Sequence, residues 1–214
     1  MAKEIATNKR NKREIYSRKE IVEVYDWRRF GGESGRHVDL REKQCVKDLL
    51  KGVNGKVLEV ACGTGRITDF LLTEGFNVIG MDFSVEMLKI SKKKVNAQFF
   101  RSDALNLPLR ENYFDAVVAI RFFHHYNDIK PFLKEIKRVL NPCGFLVCDA
   151  YKWSLKKYVY FHKEFDSLKV EKKIECFLFS PLIYRFLPIL IVKFLNKIEK
   201  YIYKVRTFYL LKNY

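Results

Sequence analysis

The sequence has no cysteine pair at CxxC spacing and no His/Cys cluster with the spacing of zinc ligands, so no metal site is expected. Its five cysteines, Cys45, Cys62, Cys143, Cys148 and Cys176, are odd in number and scattered. A disulfide framework is therefore excluded, and reduced thiols in a cytoplasmic protein are expected. No low-complexity linker or internal repeat divides the chain. Behind the basic N-terminal residues Lys9, Arg10, Lys12 and Arg13 there is no apolar stretch, so no secretory signal is read. Phe177–Leu195 is apolar on nearly all sides, but Pro181, Arg185 and Pro188 interrupt it, and a transmembrane span is not expected. Acidic residues are also short: 25 Asp and Glu against 41 Lys and Arg leave a net charge of +16.

What is present bounds the rest. A chain of 214 residues, 48% of them apolar, suits one globular domain with a full core. The positive charge has two readings: attraction to RNA, DNA or anionic lipid, or a Lys-, Ile- and Tyr-rich composition with no functional meaning. Three regions are expected. Residues 1–50 form a basic leader and a helical segment, residues 51–150 a ligand-binding core, and residues 151–214 a helical region that completes the sheet.

Within the core, short apolar runs alternate with amphipathic helices. Val57–Ala61, Asn77–Met81, Gln98–Arg101, Phe114–Ile120 and Phe145–Cys148 read as strands. Ile67, Phe70, Leu71 and Leu72 fall at helical spacing before Gly75 stops them. Ser84 is placed to cap a helix over Val85–Lys94, and Phe132, Leu133, Ile136, Val139 and Leu140 form a third helical stripe. Asn141–Gly144 reads as a turn. Strand–helix alternation of this kind predicts a doubly wound α/β sheet, mostly parallel. Toward the C-terminus a helix-period stripe runs from Ile183 to Ile202, and Thr207–Leu211 reads as a last strand.

Ligands of open α/β sheets bind beyond the carboxyl ends of the strands. After the first strand comes Glu59-Val60-Ala61-Cys62-Gly63-Thr64-Gly65, whose glycines let the backbone turn tightly. Asp82, about 20 residues on, is placed to accept hydrogen bonds from a ribose. Asp103-Ala104 follows the third strand. A dinucleotide site is disfavoured because the third glycine of GxGxxG is missing and Glu59 would repel a pyrophosphate. The carboxylate suits an ammonium or sulfonium instead. No Gly-Lys-Ser/Thr follows the turn, which excludes a P-loop.

Val57–Gly65 resembles the first motif of the class I S-adenosylmethionine-dependent methyltransferases, in particular their type 11 group. Val78–Leu88 resembles the second motif, Asp103–Pro108 and Tyr113–Val117 the third and fourth, and Leu133–Pro142 the helix and turn before strand five. Ala61 departs from the pattern, since many members carry glycine there. The resemblance implies a Rossmann-like fold and S-adenosylmethionine as cofactor. It implies that Glu59, Ala61, Cys62, Gly63 and Gly65 hold the methionine part, Asp82 the ribose, Phe83 and Met87 the adenine faces, and Asp103 with Ala104 the adenine edge. Ile120 and Arg121 would line the pocket near the methyl group. The segment Tyr25–Phe30 is similar to N-terminal lids of related proteins, with Tyr25 and Arg28 or Arg36 toward ligand. A helix packed on the sheet edge is the other reading.

His124 and His125 lie after the fourth strand, at the correct end of the sheet to act as a base or to line an acceptor pocket. Pro142-Cys143 lies before strand five and is read as structural. The expected activity is methyl transfer to a small-molecule or lipid-like acceptor. Residues 177–204 offer either a peripheral membrane contact or a core helix. A tRNA or rRNA methyltransferase and a non-catalytic cofactor-binding protein are the competing readings.

Overall fold

The computed structural model describes residues 14–151, 165, 168–176, 188–198 and 206–214. The basic leader residues Lys9–Arg13 and most of the expected membrane-facing stretch 177–204, including Pro181 and Arg185, lie outside them. Among the described residues the N-terminal segment carries α1 (Lys19–Glu23), α2 (Tyr25–Phe30) and α3 (Gly32–Leu50). The alternating core follows as β1 (Lys56–Val60), α4 (Arg66–Thr73), β2 (Asn77–Asp82), α5 (Val85–Lys94), β3 (Gln98–Arg101), β4 (Phe114–Ala119), α6 (Lys130–Val139) and β5 (Leu140–Tyr151). The chain closes with β6 (Lys169–Cys176), α7 (Ile189–Ile198) and β7 (Arg206–Lys212).

Among the described residues seven strands form one sheet in the order β3-β2-β1-β4-β5-β7-β6. Every pair from β3 to β5 is parallel, whereas β7 lies antiparallel between β5 and β6. The order reverses between β1 and β4, which places the switch-point crevice beyond the carboxyl ends of those two strands. β1 and β4 are buried on both faces (Val57, Leu58, Ala116, Val117 and Val118), which explains why they read as unbroken apolar runs. One face of the sheet is covered by Phe132, Leu133, Ile136 and Val139 of α6. The other is covered by Val38, Cys45, Val46 and Leu49 of α3 together with Ile67 and Leu71 of α4. Thus α3, although N-terminal, forms a layer of the core.

Over residues 51–139 and at β7 the expected strands and helices lie where the pattern placed them, to within one or two residues; of the expected helical stripe from Ile183 to Ile202, 183–187 and 199–202 lie outside the described residues. Ser84 caps α5 by accepting a hydrogen bond from Met87 N at 3.1 Å. Two differences have physical causes. Asn141–Gly144 belongs to a single long β5, as a bulge that shifts the register against β4, with Cys143 at φ +63°. The Cys143 N–H donates to the Asn213 carbonyl at 2.7 Å, a structural role for the Pro-Cys pair. The C-terminal region supplies two strands as well as a helix. β6 was not legible because its sequence, Lys169–Cys176, is largely charged and exposed. Such charge suits an edge strand that must not recruit a further chain.

Candidate functional site

At the switch point the chain turns out of β1 through three left-handed residues, Ala61, Gly63 and Gly65, at φ +58°, +56° and +83°. Glycine enters this region freely, whereas Ala61 costs about 1–2 kcal/mol there. The turn is locked from the neighbouring strand. Cys62 N donates to the Met81 carbonyl at 2.9 Å, and Gly63 N donates to Asp82 Oδ2 at 2.9 Å. Asp82 Oδ1 accepts from Ser84 N at 2.8 Å. One carboxylate therefore fixes both the glycine turn and the start of α5. Burial raises the Asp82 carboxyl above its ordinary range, and these two N–H groups oppose the shift.

A cleft opens above the turn, with about 1150 Å³ of space including its mouth. Its floor contains Glu59, Ala61, Cys62, Gly63, Asp82 and Phe83, and Met87, Asp103 and Ala104 form one wall. Ile120 and Arg121, beyond β4, line the other wall, and Tyr25 and His125 stand at the N-terminal and post-β4 sides. Of the residues named from the sequence, Gly65, His124 and the alternatives Arg28 and Arg36 do not line it.

Gly65 acts beneath the cleft. A Cβ there would sit 3.0 Å from Val95 Cγ2 and 3.1 Å from Ser91 Cβ, so the glycine lets α4 start close against α5. His124 turns away and packs edge-on against Tyr151, with ring centroids 5.0 Å apart. Arg28 and Arg36 are not among the lining residues.

Sequence reasoning missed several parts of this site. Thr68 occupies one position where a dinucleotide turn has its third glycine. Its buried hydroxyl donates to Glu59 Oε2, so the departure from GxGxxG is itself a device that fixes the carboxyl group. Burial nevertheless pushes Glu59 up to about 8; Thr68 and the Arg66 charge oppose the shift and the Asp82 charge adds to it. Tyr16, Phe30, Phe122 and Tyr126 add aromatic lining, and Tyr16 has no local signal in the sequence. The N-terminal segment is fastened over the turn at three points. Thr64 Oγ1 donates to Asp26 Oδ1 at 2.6 Å, Lys94 Nζ meets Asp26 Oδ2 at 2.5 Å, and Ser84 Oγ donates to the Tyr16 carbonyl at 2.5 Å.

The site fits an adenosyl-methionine ligand on its own chemistry. Gly63 leaves its Cβ direction open, with nothing nearer than Met87 Sδ at 4.0 Å. Asp82 retains acceptor capacity beyond its backbone contacts. Glu59 is a buried acid whose ionisation calls for a cation, and Phe83 and Met87 offer flat, polarisable surface to a purine.

Residues 58–148 match the model of a family described as "Methyltransferase domain". The chain is 37% identical over 113 residues to the demethylmenaquinone methyltransferase of Staphylococcus saprophyticus, covering 50% of this chain and 48% of that protein. It is 34% identical over 152 residues to that of Staphylococcus aureus, covering 67% and 63%. The chain spans about half the length of the first of these relatives. Among solved structures, an S-adenosylmethionine-dependent methyltransferase from Mesorhizobium loti superposes with a TM-score of 0.60 at 15% identity, covering 79% of this chain and 96% of the other. The fold is that of the class I methyltransferases.

Proposed function

We propose that this chain, whose residues 58–148 match a methyltransferase-domain family, transfers a methyl group from S-adenosylmethionine to a small, lipid-like acceptor with a quinol-type ring. The observation that carries the reading is the convergence of Glu59, Gly63, Asp82, Asp103 and Arg121, from the ends of four neighbouring strands, on one cleft with an aromatic mouth. When bound, S-adenosylmethionine supplies an electrophilic methyl on a sulfonium. The chain's own residues bind, align and exclude water, and alignment of the two reactants is the main contribution such a displacement needs.

Asp82 holds the ribose, Asp103 and Ala104 the adenine edge, and Glu59 with the glycine turn the charged amino-acid end. Tyr16, Tyr25, Phe122 and Tyr126 line the cleft with aromatic rings that suit a flat, largely apolar acceptor. His125, at the rim, is placed to take a proton from an acceptor that must lose one, and His124 supports it from behind with ring centroids 3.8 Å apart. The acceptor class also draws on the two staphylococcal relatives named as demethylmenaquinone methyltransferases. Among the described residues no helix is long and apolar enough to cross a membrane. α7 leaves Leu190, Ile191 and Phe194 exposed, and we assign these to peripheral contact with the lipid phase that holds the acceptor.

The test is incubation with methyl-labelled S-adenosylmethionine and, in parallel, a reduced demethylated naphthoquinone or bulk tRNA. Label is expected in the quinol and lost in His125→Ala. Label in the tRNA alone would replace this reading with the nucleic-acid one.

A further inference from the structure

Two guanidinium groups, those of Arg66 and Arg121, line a cleft assigned above to a cationic ligand. Uncompensated, they would repel a sulfonium. Both converge on one carboxylate that no motif includes. Glu42, in the middle of α3, is fully buried; its Oε2 accepts from Arg66 Nη2 at 2.6 Å and its Oε1 from Arg121 Nε at 2.8 Å. Arg206 of β7 also reaches Glu42 Oε1 and donates from Nε to Asp149 Oδ2 at 2.9 Å. Asp149 Oδ1 in turn accepts from Arg121 N at 2.6 Å, where Arg121 stands at φ +60°. Asp39, one turn before Glu42, pairs with Arg66 and, at 2.9 Å, with Lys43. The Phe30 ring lies 4.1 Å from Arg66 Cζ and 5.1 Å from Arg121 Cζ, closing the assembly toward the cleft.

The knot holds four cations (Lys43, Arg66, Arg121 and Arg206) against three carboxylates (Asp39, Glu42 and Asp149). Among the described residues Glu42 is the one carboxylate that accepts from the guanidinium groups of both Arg66 and Arg121.

We propose that Glu42 is the residue that neutralises the Arg66–Arg121 wall of the cleft and thereby sets its preference for the sulfonium form of the cofactor over the neutral thioether left after methyl transfer. The inference rests on the cofactor reading above. Glu42 acts through the two arginines and touches no ligand, so it is a positioning residue. α3 thus completes the electrostatics of the site as well as covering the sheet. Product discharge follows from the same balance: a wall tuned to tolerate a positive sulfur holds the neutral product no more tightly.

S-adenosylmethionine and S-adenosylhomocysteine differ by one methyl and one positive charge, so their affinity ratio isolates the electrostatic contribution. Calorimetric titration of the full chain with each ligand is expected to show that Glu42→Gln weakens S-adenosylmethionine about tenfold more than S-adenosylhomocysteine. This magnitude is that of one unit charge changed at about 10 Å in an effective dielectric near 20. Arg66→Met, which removes a cation from the same wall, shifts the ratio the opposite way. If Glu42→Gln loses its far-ultraviolet dichroism, the Arg66→Met ratio decides alone. Ratios within about twofold of wild type in the folded variants overturn the inference and leave the cofactor reading standing. A wild-type protein that binds neither ligand overturns both.

Discussion

Lowering the pH from 7 to 6 should weaken S-adenosylmethionine binding about ninefold, through Glu59 alone. Burial holds this carboxyl up at about 8 in the ligand-free protein. At pH 7 roughly one molecule in ten then carries the ionised form that a cation requires, and at pH 6 roughly one in a hundred. Apparent affinity scales with that fraction. The ligand's own α-amino group, with an ordinary pKa near 8, is almost fully charged across this window and does not compensate. Binding at pH 7 should accordingly release close to one proton.

Calorimetry in two buffers of different ionisation enthalpy at pH 7 measures that proton directly, and the affinity series from pH 6 to 7 measures the slope. Glu59→Gln should bind weakly with no slope. Thr68→Val, which removes the hydroxyl that donates to Glu59 Oε2, should move the rise in affinity to higher pH, and Thr68→Ser should restore it. A flat affinity from pH 6 to 7, with no proton released, would refute the assignment of Glu59 as the cation's partner.

Two predictions concern the scaffold beneath the cleft. Gly80→Ala places a Cβ 2.6 Å from Phe99 Cδ1 and 3.1 Å from Cys62 Sγ in the middle of β2. Overpacking of this kind costs about 1–3 kcal/mol and should lower the thermal midpoint by about 2–4 °C per kcal/mol; an unchanged midpoint would mean that the Phe99 ring moves aside freely. Asp82→Ala strips the acceptor from both Gly63 N and Ser84 N, so it should lose stability as well as cofactor binding, by about 1–3 kcal/mol for each buried N–H left unmade. A denaturation midpoint equal to wild type would show that the glycine turn holds itself.

The parallel half of the sheet was legible because β1 and β4 are buried on both faces and α4 and α6 carry one apolar stripe each, and such periods survive in sequence. The site residues on the strand ends were legible for the same reason, since fixing β1 and β2 fixes where Glu59 and Asp82 emerge. β6 escaped because an edge strand needs no apolar pattern, and Lys172, Lys173 and Glu175 give it none. The role of Thr68 was hidden by its reading as a missing glycine. The Glu42 knot had no local signal at all, because Glu42 and Arg206 are separated by 164 positions and meet only once β7 has inserted beside β5. The placement of His124 was equally invisible, since Phe123–His125 form a single 3-10 turn in which His124 packs on Tyr151 and His125 on Tyr16.

Calorimetric titration of the purified chain with S-adenosylmethionine and, separately, with NADH decides whether the cleft binds the methyl donor. One equivalent of S-adenosylmethionine bound per chain, with no heat from NADH, is the expected result. Binding of NADH, or of neither ligand to folded protein, would contradict it.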